Sequence, residues 1–148
     1  MFFNELSLGM AVDIAPAVIE KQKMLDFAHT YDNIPLHTDE EYAKASVFGQ
    51  LIAPGVMSFM SVWAKYLEVD FFGKELLAGG STKIVWHKPV YAEDVLHGTA
   101  VITNLQQRNA KNGLVEITIE AYNQKGDHVL SNVTEAIVKC AQQPECSL

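Results

Sequence analysis

Between Pro54 and Glu68 the chain carries a run that cannot lie on a protein surface as an ordinary amphipathic helix. From Val56 onward most residues are apolar, and the polar ones, Ser58, Ser61, Lys65 and Glu68, recur at spacings of three, four and three. That spacing draws one narrow polar stripe along an α-helix. A helix apolar around most of its circumference has to be wrapped by other structure. Pro54 suits a first helical turn, so a helix is expected from about Pro54 to Glu68. The apolar stretch Leu51 to Ala64 is interrupted by Pro54 and Gly55 and is too short to span a bilayer. It reads as a buried helix and not as a membrane anchor.

The second half of the chain supplies the wrapping. Residues 82 to 88, 95 to 108, 114 to 123 and 128 to 139 are rich in β-branched residues, with turn signals at Asn112–Gly113 and at Gln124 to Asp127. Val115, Ile117, Ile119 and Ala121 alternate with Glu116, Thr118 and Glu120, the pattern of an antiparallel strand with one face on a core. Leu96, Gly98, Ala100 and Ile102 make a second apolar row, whose small residues at 98 and 100 are expected to admit a closely packed helix. Ahead of the long helix, residues 11 to 19 read as an extended segment interrupted by Pro16. Residues 20 to 31 have helical periodicity. Thr38 with Glu41 forms a capping-box pattern for a short helix from about Asp39 to Ser46. One long buried helix against a curled antiparallel meander is an α+β fold, and 148 residues without repeat or linker read as one domain, 1–148.

Charge narrows the function. The formal net charge is −7 and Arg108 is the only arginine, which argues against nucleic acid, whose binders need a basic stripe to neutralise phosphates. An anionic substrate would have to be held by a local patch, for which Lys83, Lys88, Arg108 and Lys111 are candidates. Cys140 and Cys146 form neither a zinc spacing nor a disulfide framework, and MFFNELSLGM has no basic n-region followed by a long apolar run. A reduced, cytoplasmic chain is the expectation. No Gly-rich phosphate loop, dinucleotide fingerprint or G-x-S-x-G elbow occurs. The five histidines lack metal-ligand spacing, so neither a metal nor a cofactor is expected.

The chemistry concentrates in YDNIPLHTDEEYAKASVFGQLIAPG, residues 31 to 55. Asp32 and His37 stand five residues apart across Pro35, and Gly55 follows at the mouth of the long helix. Singly, Asp32 reads as a turn cap and His37 as a structural hydrogen-bonding group. Together they are the parts needed to add water to an activated double bond: a carboxylate and an imidazole to hold and polarise water, and a backbone N–H at a helix amino end to receive developing negative charge. Asp39 reads as a local cap. Ser58 and Ser61, on the polar stripe, could reach an acyl chain or water, or simply contact the sheet.

This run resembles the signature of the MaoC-like dehydratase family, which includes the R-specific enoyl-CoA hydratases. The matching residues are Asp32, Pro35, Leu36, His37, Asp39, Ala43, Phe48, Gly49, Ile52, Ala53 and Gly55, and a weaker similarity continues through WHKPVYAEDVL, residues 86 to 96. Ile34 stands where the family usually has Asn, with Asn33 one residue earlier. Pro54 stands where many members carry His, and Glu93 where Gly is common. The resemblance implies a hot-dog fold, at least a homodimer, and reversible hydration of a 2-enoyl-CoA or related acyl thioester. Asp32, His37 and Gly55 would be catalytic; Asn33, Pro35, Ser58 and Ser61 would be substrate-binding; coenzyme A would be present only as part of the substrate. A hot-dog thioesterase, with Asp32 activating water toward the carbonyl carbon, and a non-catalytic acyl-thioester-binding module are the alternatives.

Overall fold

The computed structural model describes residues 1–142; Cys146 and the last residues of the expected domain lie outside the described residues. Five strands form one antiparallel sheet: β1 Ala11–Val18, β2 Leu76–Trp86, β3 Val95–Gln107, β4 Asn112–Tyr122 and β5 His128–Lys139. Their order across the sheet is β1-β3-β4-β5-β2, which leaves β1 and β2 as edges. The helices are α1 Lys21–Tyr31, α2 Pro35–Thr38, α3 Glu40–Ala45 and α4 Gly55–Glu68. None of the described helices is long and apolar enough to cross a membrane.

Strand chemistry explains the sheet. The alternation along β4 puts Val115, Ile117, Ile119 and Ala121 in the core, none more than 2% exposed, while Glu116, Thr118 and Glu120 face outward. Pro16 sits at a register shift between Ile14 and Ala17 in the β1–β3 ladder, where a residue without an N–H is tolerated. The β4–β5 turn is closed by Asn123, whose Oδ1 accepts from the N–H groups of Lys125 and Asp127, both at 3.0 Å.

Several expectations change. The second strand was expected over 82 to 88 and runs from Leu76 to Trp86. Its first half, Leu-Leu-Ala-Gly-Gly-Ser, lacks β-branched residues but is held by pairing with β5. Asn112–Gly113 is not the turn but the start of β4; the turn is built by Asn109, whose Oδ1 accepts from the N–H groups of Lys111 and Asn112. Thr38 does not cap the short helix. It ends α2 and donates back to the Ile34 carbonyl, while Asp39 caps α3 by accepting from the Tyr42 N–H at 3.1 Å. Gly98 is small for a different reason: a Cβ there would lie 2.1 Å from the Glu120 carbonyl oxygen of β4, so the close neighbour is a strand and not a helix. Glu93 has φ +67°, a left-handed conformation that explains why glycine is common at this place in the resembled family. It is held by its N–H to the Ile19 carbonyl, 2.7 Å.

Helix α4 packs on the sheet mainly through β1 and β3, burying Met57, Phe59, Val62 and Tyr66. The chain wraps it incompletely. Val56, Met60 and Leu67 remain 47%, 47% and 51% exposed, although Ser58, on the polar stripe, is only 1% exposed. Much of the surface left open on this helix is therefore apolar, beside the Lys65–Glu68 ion pair, and Ser58 is inside. A single five-stranded sheet can cover only one side of a helix that is apolar nearly all round.

Candidate active site

Asp32 is delivered by the end of α1: its N–H closes the last turn on the Ala28 carbonyl at 2.9 Å, and its carbonyl accepts the Ile34 N–H at 2.9 Å. Pro35 then forces Ile34 into extended geometry, φ −119° and ψ 153°, and opens α2 at its first position. That one-turn helix carries His37, which is 6% exposed. Two hydrogen bonds tie α2 to the segment before α4. The Ile52 N–H donates to the Leu36 carbonyl at 3.3 Å, and His37 Nδ1 lies 2.7 Å from the Ile52 carbonyl oxygen. A carbonyl can only accept, so Nδ1 carries a proton and Nε2 is the nitrogen turned away from that carbonyl. Nε2 faces the Asp32 carboxylate, 3.2 Å from Oδ2. Asp32 keeps 42% of its side chain exposed while His37 keeps 7%, so the pair has one wet member and one sheltered member.

The segment from Leu51 to Pro54 is stitched on its other side to residues 90 and 91, through the Ala53 N–H on the Val90 carbonyl at 2.7 Å and an Ile52–Tyr91 bridge. This fixes where α4 begins. The N–H of Gly55, at the first position of α4, donates no hydrogen bond within the described residues, as expected for a helix amino end. Gly55 and His37 line one cavity of about 270 Å³, together with Ser58, Trp86, His87 and Lys88. Asp32 itself lines a separate hollow of about 360 Å³, with Phe27, Tyr31 and Val56. Phe27 also borders a groove of about 620 Å³ running along Met57, Met60, Ser61 and Ala64.

Asp32 and His37 are thus brought together, and His37, Gly55 and Ser58 share a cavity. Ser61 lies in the groove along Met57 and Met60, its Oγ donating to the Met57 carbonyl at 2.9 Å; Ser58 makes a longer bond to the Pro54 carbonyl, 3.4 Å. Asn33 is exposed on the loop and Pro35 acts through the backbone of α2. Lys88 borders the His37 cavity and pairs with Asp127 at 3.3 Å. Arg108 and Lys111 belong to the β3–β4 turn, at the opposite end of the sheet. The register Trp86–Leu130–Ala121 places them nine residues down β4 from Trp86, about 30 Å away. Within one chain they do not reach the site. Among the described residues no group of three or more His, Cys, Asp or Glu side chains could hold a metal ion.

Two contributors escape sequence reading. The Ile52 carbonyl, which sets the imidazole, is backbone and carries no signature. Trp86 lies in WHKPV but thirty-one residues after Gly55, and only the fold brings its indole onto that glycine.

The family model for the MaoC like domain matches residues 4–125. The chain is 25% identical over 140 residues to the uncharacterized protein YdeM of Bacillus subtilis, covering 94% of this chain and 99% of that one. The structure superposes on a monoamine oxidase regulatory protein from Archaeoglobus with a TM-score of 0.90 at 26% identity, covering 97% and 96% of the two chains. It also shares the fold of an R-hydratase from Pseudomonas aeruginosa, with a TM-score of 0.72, 21% identity and coverage of 99% and 96%. With the match spanning most of its length, and with the antiparallel sheet and helix of the hot-dog fold in place, this chain belongs to the MaoC-like dehydratase family.

Proposed function

We propose that the protein reversibly hydrates a 2-enoyl thioester, with Asp32 and His37 acting on one water and Gly55 receiving the thioester oxygen. The observation that carries this reading is the pair itself. With Nδ1 committed to the Ile52 carbonyl, Nε2 of His37 and a carboxylate oxygen of Asp32 stand 3.2 Å apart, and His37 lines the same cavity as Gly55. A water beside both atoms is hydrogen-bonded by both. In the forward direction its oxygen bonds to the β-carbon while His37 takes one of its protons. The π electrons of the double bond move to the thioester oxygen, which the Gly55 N–H and the amino end of α4 stabilise. The proton returns to the α-carbon through the Asp32–His37 pair, leaving a 3-hydroxyacyl thioester and the site unchanged. No cofactor takes part, and coenzyme A enters only as the carrier of the acyl group.

Ser58 and Pro35 would border the thioester. Ser61 would line the acyl chain in the groove along Met57, Met60 and Ala64, with Asn33 at the rim. The uncovered face of α4, together with the edge strand β2, suits a second copy of the chain, which would finish the wrapping that one sheet cannot supply and remove an exposed strand edge. Incubation with crotonyl-CoA tests the reaction: loss of enoyl absorbance without free thiol is the expected result. Release of thiol without a hydroxyacyl product would establish hydrolysis in its place, and binding without either change would leave an acyl-thioester-binding module.

A further inference from the structure

Trp86 is placed in a way that sheet packing does not require. It ends β2, opposite Leu130, and its side chain does not turn into the core, since the residue is 48% exposed. Its indole Nε1–H donates to the Gly55 carbonyl at 2.8 Å. The ring lies so close to Gly55 that a Cβ at that position would stand 2.5 Å from Cε2 and 2.8 Å from Cζ2. The following residue is fastened down, with the His87 N–H on the Val129 carbonyl at 2.7 Å and His87 Nε2 2.9 Å from Ser131 Oγ. The strand end is therefore a firm mount for the indole. The same ring forms part of the wall of the cavity that holds His37.

A tryptophan used only as filler would bury its bulk. Here an exposed indole uses its single donor on the carbonyl of Gly55, a residue that lines the cavity. The other side of Gly55 is held by Pro54, which is fully buried. The peptide that carries the Gly55 N–H is held by its own carbonyl, that of Pro54, which accepts from the Ser58 N–H at 3.1 Å; the indole holds the next peptide, so the two planes that meet at the Gly55 Cα are each anchored.

We infer that Trp86 is a positioning residue of the thioester site: by anchoring the Gly55 carbonyl and packing against its Cα, it restricts rotation about Gly55 and so keeps the Gly55 N–H aimed at the point where the oxyanion forms. This rests on the hydration reading given above. It also accounts for glycine at position 55 in this chain, since the indole occupies the space of a side chain.

Trp86→Phe keeps an aromatic ring over Gly55 and removes the donor, and it is tested by kinetics with crotonyl-CoA and by the Gly55 amide signal in protein labelled with ¹⁵N-glycine. Misdirecting one oxyanion donor is expected to lower kcat by about tenfold or more with KM held within about twofold, the split that marks an interaction made in the transition state. The thermal midpoint stays close to that of the parent. In the parent the Gly55 amide signal moves on saturation with crotonyl-CoA, and in Trp86→Phe it moves less. An unchanged kcat with an unchanged Gly55 response overturns the inference, as does a loss of kcat that merely tracks a loss of thermal stability. If the parent shows the Gly55 response without turnover, the reaction assignment fails while the role of Trp86 is still read from the variant's amide response. If the parent's Gly55 signal does not respond at all, both fail.

Discussion

Tyr66 offers a test of the core that does not depend on the reaction. It lies in the last turns of α4, 4% exposed, with its ring 5.0 Å from that of Trp63 and against a cavity of about 330 Å³ that Phe72 and Ile117 also line. Its hydroxyl is buried and has no hydrogen-bond partner among the described residues. Burial alone pushes the phenol up from 10.0 to about 12. Leaving such a group unpaired costs about 1–3 kcal/mol, and Tyr66→Phe removes the hydroxyl while keeping the ring contacts. The variant should be more stable at pH 7 by about 1 kcal/mol, a rise in Tm of about 2–4 °C for a chain of this size. The alkaline limb gives a second reading. The folded phenol loses its proton later than the unfolded one, so above pH 10 the unfolded chain gains from ionisation and the folded chain does not. The stability held below pH 10 is lost as pH rises to about 12, by about 2–3 kcal/mol over that window. In Tyr66→Phe this loss should vanish. Urea unfolding of both proteins at pH 7, 10 and 11, at one protein concentration, measures both effects. A variant less stable than the parent at pH 7, or one with the same alkaline slope, would refute an orphaned hydroxyl at this position.

Asp32→Asn and His37→Gln should each reduce crotonyl-CoA hydration by about 10²–10⁴-fold while leaving the circular dichroism spectrum unchanged; retention of full turnover in either would remove that residue from the chemistry. Gly55→Ala places a methyl into the Trp86 ring and should destabilise by about 1–3 kcal/mol. In a Trp86→Ala background the same change should be neutral or stabilising. Additive effects in that double-mutant cycle would show that the two residues do not touch. Leu67→Glu, on the uncovered face of α4, should shift sedimentation from a dimer to a monomer at micromolar concentration with helicity retained. A parent that sediments as a monomer would leave that face needing another cover.

How much of this was legible in the sequence follows from the range of the forces involved. Helix α4 was readable because its periodicity is local, and β4 because strict alternation over residues 115 to 121 leaves one orientation to the sheet. The first half of β2 was not. Leu76 to Ser81 has two glycines and no β-branched residue, and it is a strand because β5 offers it a ladder, an influence from more than fifty residues away. Thr38 and Asp39 show a finer limit: both can cap a helix, and α2, a single turn opened by Pro35, claims Thr38 and leaves the next residue to do the capping. Gly98 was recognised as a place of close approach, yet a glycine reports only that something is near, and here it is a neighbouring carbonyl.

The candidate site divides along the same line. Asp32 and His37 meet because one proline converts the end of α1 into the start of α2, so five residues of sequence suffice to set their separation. What makes the pair directional is not local. The ring of His37 is oriented by a carbonyl fifteen residues on, and that carbonyl is in turn fixed by the bridge from Ile52 to Tyr91. Gly55 is held from Trp86 across thirty-one residues. A sequence can therefore announce an acid, a base and a helix amino end, while the angles at which they face one another are set by backbone atoms and by a single indole. For that reason a change at Tyr91 or Trp86, neither of which belongs to the Asp–His pair, should alter the geometry of the pair or of the Gly55 amide more than a substitution at the exposed Asn33 beside it.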